Sequence, residues 1–323
     1  MKRTFFLLTW IALYCVSSVC TVSASIHLGT VERDTLLGVP CRIYLPYKYA
    51  ERVQTDKTVF PVLYLQHGMY GSEDDWIVQG DLLRLMNMLL LADQVKEMVI
   101  IMPDNFIGSI PLEERYQLMA APNITPTGEE FDTSKGSAHW RKLTSDKEKS
   151  YEMSGYWEEH FSAFMYAAES HYSISKEPVQ RAIAGLSMGG FHTMHIAHYL
   201  CGQFAYVGLF SAVIIPQQGT EEVSPEFDSQ FHTSGFDYQI EYPSPAYGNW
   251  MAEMRHMASA PPMYWMGMGR DDFLYAQMQD YRLWLDSNNF EYTYYESTGG
   301  HSWPNWQNYL CRFLKKIFRD SKF

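Results

Sequence analysis

A serine with glycines two positions to either side, Gly185-Leu186-Ser187-Met188-Gly189, lies between an apolar run and a stretch of helical character. This order is typical of a nucleophile elbow, a sharp turn from a strand into a helix. Residues without a Cβ relieve the crowding of such a turn. The serine hydroxyl would stand at a helix N-terminus, where free N–H groups favour developing negative charge. The alternative is a glycine-rich turn that contains serine by chance; the strand–turn–helix context favours the nucleophile.

A serine hydroxyl needs a base, and the base needs a carboxylate that orients it. For this kind of elbow the expected chain order is serine, acid, histidine. The chain offers Gly269-Arg270-Asp271-Asp272-Phe273 and then Gly299-Gly300-His301, each after a predicted strand. The ends of those strands should meet at the edge of the sheet where Ser187 lies. We therefore expect His301 to act as general base and acid.

The identity of the acid is open between two neighbours, Asp271 and Asp272. Phe273 and Leu274 are expected to begin a helix and to be buried, which puts Asp272 close to an N-cap position. Asp271 would then be a solvated turn residue. The capping argument favours Asp272.

A second backbone donor for an oxyanion should follow an earlier strand. The segment His67-Gly68-Met69-Tyr70-Gly71 fits, because Gly68 permits the turn and the Met69 N–H would join the Met188 N–H. The side chains of the two methionines matter little, since the backbone donates. His67 is expected to brace this loop.

Three other features of the sequence indicate a function less clearly. His192, His195 and His198 recur at every third position, so their side chains drift around a helix, and we expect packing rather than a metal site. Asn123-Ile124-Thr125 is an N-glycosylation sequon. Several aromatic residues near the predicted mouth could stack on a phenolic or sugar ring, although most should serve packing; they are Tyr70, Trp76, Tyr116, Trp140, Trp157, Trp303 and Trp306.

Apolar runs separated by amphipathic stretches predict an α/β fold, with a mostly parallel sheet and helices on both faces. The predicted strands are Phe60–Leu65, Met98–Met102, Ala182–Ala184, Tyr206–Phe210, Tyr264–Met268 and Phe290–Tyr295. The predicted helices are Leu82–Leu91, Tyr156–His171, Phe191–Leu200 and Phe273–Ser287. A leading antiparallel hairpin is expected over Ile26–Asp34 and Cys41–Tyr44. An irregular insertion around 106–155, with a short helix near Leu112–Leu118, and a second irregular stretch, Pro216–Tyr247, should lie where ligands bind.

The N-terminus predicts export. Lys2 and Arg3 precede the apolar segment Phe5–Val19, and Val22-Ser23-Ala24 offers a cleavage site, so residues 1–24 are expected to be a signal peptide and residues 25–323 a single domain. No later stretch is apolar enough to span a bilayer. The localisation would be secreted or periplasmic.

The composition narrows the classes of partner that the protein is expected to bind. A formal charge of −12 over 323 residues disfavours binding to nucleic acid or to an anionic membrane. Three cysteines remain beyond the leader, Cys41, Cys201 and Cys311; one disulfide with one free thiol, or three free thiols, are both open.

Four stretches together resemble the esterase-D-like branch of the α/β-hydrolases, which includes feruloyl and acetyl-xylan esterases. They are Pro61 to Gly71, Ala182 to Gly190, Gly269 to Tyr275, and Tyr292 to Trp306. The resemblance implies an α/β-hydrolase fold with Ser187 as nucleophile, His301 as base, Asp272 as acid, and Met69 and Met188 as oxyanion donors. It supports Asp272 because the family's acid directly precedes a Phe-Leu-like pair. The segment Phe106–Gly155 departs from the family, so the resemblance says least about substrate.

The expected function is a secreted serine carboxylesterase that hydrolyses small acyl or aryl esters, of feruloyl or acetyl type, carried by plant polysaccharide. No metal or organic cofactor is needed for that chemistry. Two alternatives stay open: an acyltransferase with a sugar acceptor, and a non-catalytic carbohydrate-binding protein on the same scaffold.

Overall fold

The computed structural model describes residues 28–113, 155–214 and 261–319. In these ranges eight strands form one sheet in the order β1-β2-β4-β3-β5-β6-β7-β8. The strands are β1 Thr30–Leu36, β2 Val39–Leu45, β3 Val62–Gln66, β4 Val99–Pro103, β5 Arg181–Leu186, β6 Tyr206–Phe210, β7 Met263–Gly269 and β8 Thr293–Ser297. β2 pairs antiparallel with both β1 and β4, and every other pair in the sheet is parallel.

The central strands are buried on both faces, as continuous apolar runs in a parallel sheet require. Along β3, Val62 and Tyr64 join one core cluster, while Leu63 and Leu65 join the other. Successive side chains of a strand point to opposite faces, so each run supplies both cores.

Helices cover both faces of the sheet. They are α1 Tyr49–Thr55, α2 Asp75–Val78, α3 Leu82–Leu91, α4 Asn105–Ser109, α5 Tyr156–His171, α6 Met188–Tyr199, α7 Tyr275–Ser287 and α8 Trp303–Leu314. Apolar residues of α5, α6 and α7 pack in the core that contains Val62 and Tyr64. Apolar residues of α3 and α8 pack in the core that contains Leu63 and Leu65.

These features confirm the predicted fold class: a mostly parallel α/β-hydrolase sheet with helices on both faces and a leading antiparallel hairpin. The bounds of α3, α5 and β6 agree with the sequence prediction, whereas α6 begins three residues before the predicted start, directly after Ser187. The last strand runs from Thr293 to Ser297 rather than from Phe290. Phe290 is buried, but it precedes the residues that pair with β7.

Several predictions fall on residues outside the described ranges: the leader over 1–24, the sequon at Asn123, most of the insertion around 106–155 and the stretch Pro216–Tyr247. α4 occupies the start of that insertion, and only the first two residues of the predicted helix Leu112–Leu118 lie within the described part. In the described ranges, none of the helices combines the length and the apolar character that crossing a membrane demands. The single-domain organisation stays a prediction.

Helix α6 carries three histidines into the core, His192, His195 and His198, each almost fully buried. Burial disfavours the charged imidazolium, so it lowers the pKa of His198 to about 3 and lowers the pKa of His195 well below its usual range. Both side chains are therefore neutral at physiological pH.

The buried His198 should make stability depend on pH. The unfolded chain binds a proton near the ordinary histidine pKa of 6.5, whereas folded His198 binds it only near pH 3. The free energy of unfolding should thus fall as pH drops from about 6.5 towards 3, by up to about 1.4 kcal/mol per pH unit for this group. Urea unfolding at pH 7 and pH 5 would measure the loss.

The matched variants are His198→Gln, which removes the buried imidazole, and His160→Gln, which removes an exposed one. We expect a shallower pH dependence for the first and an unchanged one for the second. An identical slope for His198→Gln and the unmodified protein would contradict the prediction.

Candidate active site

Ser187 occupies the single residue between β5 and α6. Its backbone has φ 52° and ψ −120°, in the positive-φ region that costs a non-glycine residue about 1–3 kcal/mol. Neighbouring backbone holds it there: the Ser187 N–H donates to the Phe210 carbonyl at 2.9 Å, and the Val213 N–H donates to the Ser187 carbonyl at 3.1 Å. The turn is therefore fixed by the end of β6 as well as by its own helix.

The flanking glycines are required by close packing. A Cβ added to Gly185 would lie 2.3 Å from the Gly189 carbonyl oxygen, and one added to Gly189 would lie 2.2 Å from the His67 carbonyl oxygen. Both distances are far inside van der Waals contact. The glycine spacing thus lets the start of α6 sit directly against β5 and the loop after β3.

His301 and Asp272 complete a line of hydrogen bonds to Ser187. His301 Nε2 lies 2.8 Å from Ser187 Oγ, and His301 Nδ1 lies 3.1 and 3.0 Å from the two carboxylate oxygens of Asp272. The Asp272 side chain is fully buried, and that of His301 is 16% exposed. A carboxylate only accepts, so Nδ1 carries the proton and Nε2 accepts the proton of the serine hydroxyl. The structure brings together all three side chains that the sequence analysis selected.

The two aspartates occupy different positions. Asp272 faces His301 and also accepts a hydrogen bond from the Leu274 N–H at 3.0 Å. Asp271 is exposed, and its carboxylate accepts from the Gly299 N–H at 3.0 Å. Asp271 thereby ties the loop after β7 to the loop that carries His301.

The local argument used to choose between them was wrong in one respect. Helix α7 begins at Tyr275, not at Phe273, and Phe273 is 56% exposed rather than buried. Asp272 caps a turn just before the helix, and only Leu274 of the Phe-Leu pair enters the core.

The loop after β3 passes beside Ser187. A Cβ built on Gly68 would lie 2.6 Å from Leu186 Cδ1 and 3.4 Å from the Ser187 Cβ, so the loop backbone comes close to both residues. Met69 follows directly and is partly buried against the core, while Met188 is the first residue of α6. The two backbone segments expected to supply oxyanion donors therefore flank Ser187.

His67 braces this loop from behind. Its Nε2 accepts from the Asn105 N–H at 3.2 Å, and its Nδ1 lies 2.7 Å from the Gly68 carbonyl oxygen. The Asn105 amide in turn donates to the His67 carbonyl and accepts from the His67 N–H. These bonds hold the loop after β3 against the start of α4.

A buried hydrogen-bonded pair close to the site was not found from the sequence. His192 Nδ1 lies 2.5 Å from Glu158 Oε1, and both side chains are fully buried. The pair links α5 to α6, five residues after the nucleophile. The neighbouring Trp157 Nε1 donates to Gln66 Oε1 at 3.1 Å, which ties α5 to the end of β3 as well.

The sequence did contain a signal for this pair. Glu158 lies on the apolar side of a helix whose Trp157, Phe161 and Phe164 are core residues, and a charged residue there requires a partner. His192 supplies it through the hydrogen-bond contact with Glu158. Within the described ranges, no group of three or more histidines, cysteines or acidic residues could hold a metal ion.

Aromatic rings enclose His301 on two sides. The Phe273 ring centroid lies 4.6 Å from that of His301, and the Trp306 centroid lies 4.9 Å away in an edge-to-face arrangement. Trp306 also contacts Trp303, which contacts Trp76. These rings limit the orientations of the imidazole.

Hydrogen bonds from α8 fix the loop that precedes His301. Asn305 Nδ2 donates to the Gly300 carbonyl at 2.8 Å, and the Ser297 hydroxyl lies 3.2 Å from Asn305 Oδ1 and 2.6 Å from the Tyr309 hydroxyl. Burial raises the pKa of Tyr309 to about 12, so its phenol stays neutral and able to donate. Within the described ranges the cysteines are free thiols, and they are Cys41, Cys201 and Cys311.

The chain matches one family model and is similar to several known proteins. Residues 38–317 match the model of the family described as "Putative esterase". An endo-1,4-beta-xylanase/feruloyl esterase from Xylanibacter ruminicola is 27% identical over 169 residues, which are 52% of this chain and 19% of that protein. An acetyl esterase from Caldicellulosiruptor saccharolyticus is 27% identical over 71 residues, which are 22% of this chain and 27% of that protein.

The fold has solved counterparts. A CE1 ferulic acid esterase from Anaeromyces mucronatus, determined in complex with ferulic acid, superposes with a TM-score of 0.60 at 21% identity. The superposition covers 96% of this chain and 98% of that one. The matched stretches of the two curated relatives, by contrast, span only 19% and 27% of their own lengths.

Proposed function

The chain belongs to this esterase family, and from that premise we propose that it is a serine carboxylesterase acting on feruloyl- or acetyl-type esters of plant polysaccharide. One observation carries the proposal. An unbroken line of hydrogen bonds runs from the buried Asp272 carboxylate through His301 to the Ser187 hydroxyl. That is the arrangement which makes a serine hydroxyl nucleophilic.

In the proposed reaction, Ser187 Oγ attacks the ester carbonyl carbon while its proton passes to His301 Nε2. The resulting imidazolium keeps the proton on Nδ1 and donates it in a hydrogen bond to Asp272, whose buried carboxylate stabilises the positive charge. His301 then gives the Nε2 proton to the alkoxide oxygen as the bond to the alcohol breaks. Water attacks the acyl-enzyme by the same route, with His301 again as base, and releases the acid and Ser187.

The negative charge on the carbonyl oxygen would be stabilised by hydrogen bonds from the Met188 and Met69 N–H groups. Met188 stands at the N-terminus of α6, where the helix dipole favours an anion. The Gly68 approach and the His67 brace keep the Met69 segment beside the nucleophile. Donors fixed in advance need no reorganisation when the charge develops.

The substrate class rests on the relatives. Those reported above are named for feruloyl and acetyl ester hydrolysis, and one of them joins a xylanase to a feruloyl esterase. We assign a substrate of the same class to this chain: a small acid esterified to a plant polysaccharide sugar.

Replacing Ser187 with alanine should abolish activity. We expect acid release from feruloyl and acetyl sugar esters to fall by at least about 10³-fold, because the attacking oxygen is lost. Ser170→Ala, on the exposed surface of α5, is the control and should match the unmodified enzyme. Faster feruloyl release would indicate an aromatic acyl pocket, and faster acetyl release a small one.

No Ser187-dependent release from either ester would contradict the proposed hydrolysis. Transfer of the acyl group to an added sugar, or sugar binding without turnover, would then be measured on the same samples.

The neighbouring aspartates provide a matched pair of variants. Asp272→Asn should lower kcat by about 10³–10⁴-fold, because an amide does not hold the histidine in the required tautomer or stabilise the imidazolium. Asp271→Asn keeps an oxygen acceptor for the Gly299 N–H and should stay within a few-fold of the unmodified enzyme. Steady-state kinetics on one ester would compare them, and a larger loss at Asp271 would overturn the assignment.

We also propose that the enzyme is exported by the leader predicted over residues 1–24. Its basic start, the apolar segment Phe5–Val19 and the small residues before Ser25 support this. N-terminal sequencing of protein recovered from the medium or periplasm should begin at Ser25. Recovery of an intact N-terminus from the cell interior would contradict export.

A further inference from the structure

Phe273 is a large apolar side chain that the fold leaves exposed beside the reacting histidine. It is 56% exposed, while its neighbours Asp272 and Leu274 are almost fully buried. A single exposed apolar residue is ordinary on a protein surface. This one is distinguished by position, because its ring centroid lies 4.6 Å from that of His301.

The chemistry of the proposed reaction identifies which part of a substrate meets this ring. His301 Nε2 donates the proton to the leaving alcohol, so the alcohol oxygen must come within hydrogen-bond distance of that atom. Phe273 packs on the same imidazole. The group attached to the alcohol oxygen therefore comes next to the exposed surface of Phe273, whereas the carbonyl oxygen turns towards Met69 and Met188.

Polar residues lie on both sides of Phe273 along the chain. Asp271 is exposed two residues before it, and Arg270 is exposed and forms an ion pair with Glu296. The Tyr275 hydroxyl donates to the other oxygen of Glu296 at 2.8 Å. An exposed aromatic ring whose neighbours in the chain carry carboxylate, guanidinium and phenol groups suits a ligand that has both an apolar face and hydroxyl groups. A sugar ring has that chemistry, and an alkyl alcohol does not.

We propose that Phe273 is a specificity-determining residue on which the sugar ring of the leaving alcohol stacks. The inference rests on the proposed esterase function and extends it, because it assigns the alcohol side of the substrate. The ring contacts the C–H face of the sugar, and the sugar hydroxyls form hydrogen bonds with the polar residues that precede and follow Phe273 in the chain.

The test compares two esters of one acid that differ only in the alcohol. The pairs are methyl ferulate with feruloyl arabinose and methyl acetate with acetyl xylose, whichever acid the unmodified enzyme releases faster. Phe273→Ala should raise KM for the sugar ester about three- to tenfold, the range expected for a lost ring contact, and leave KM for the methyl ester unchanged. Because the ring also contacts His301, any change in kcat should be the same for the two esters, and the readout is the ratio of their KM values.

Two further variants distinguish recognition of the sugar by Phe273 from its packing against the His301 side chain. Phe273→Leu keeps an apolar side chain against the imidazole without an aromatic face, and should show the same selective rise in KM. Phe273→Tyr retains the ring and should restore the KM for the sugar ester. Leu283→Ala, which trims a residue 65% exposed on α7, is the control and should change neither ester.

The outcomes are distinct. Equal losses on both esters, or a fall in kcat alone, would mean that Phe273 only holds His301 and would overturn the inference. Unchanged kinetics on both esters in Phe273→Ala would overturn it as well, with Ser187-dependent hydrolysis intact. Absence of Ser187-dependent hydrolysis in the unmodified enzyme would overturn the proposed function itself, and the inference with it.

Discussion

The positive φ of Ser187 is the constraint around which the described structure is arranged. A backbone that costs about 1–3 kcal/mol persists only where surrounding contacts over-determine it. Here those contacts are hydrogen bonds to Phe210 and Val213 and the packing of Gly189 against the loop after β3. The first two contacts come from the end of β6 and the residues that follow it, and the third comes from the end of β3 and its loop. The position of the serine oxygen therefore depends on both strands that pair with β5 and not on the turn alone.

Polar contacts behind the sheet edge extend this arrangement. His67 with Asn105, Trp157 with Gln66, and Glu158 with His192 are buried and linked pairwise by hydrogen bonds. In a low-dielectric interior such hydrogen bonds are strong, and removing one partner destabilises the fold because the other polar group stays buried without a bond. They connect α4, α5 and α6 to the end of β3. The loop that flanks the nucleophile and the helix that follows it are thus held by partners far from them in sequence.

Much of the fold and of the candidate site could be predicted because the determinants are local in sequence. Apolar runs of three to six residues mark β3 to β7, and the glycines around Ser187 report a packing requirement that no other residue meets. The choice of Asp272 depended on the resemblance, since the local expectation that Phe273 would be buried was wrong. The Glu158–His192 pair could not be assigned, because its partners are 34 residues apart and pair only after α5 and α6 pack. α8 was not among the predicted helices, although most of the aromatic residues of the set that includes Trp303 and Trp306 were expected to serve packing.

The hydrogen bond between Ser187 and His301 joins residues that are 114 positions apart in the sequence. Ribosomes add about 5–20 residues per second, so Ser187 is made roughly 6 to 23 seconds before its proposed base His301. During that interval its hydroxyl is an ordinary alcohol, and the loop that will carry His301 has no β8 or α8 to support it. In the proposed mechanism, the order of residues along the chain therefore delays reactivity until the loop that carries His301 has been made, and a chain that ends before His301 has no base for Ser187.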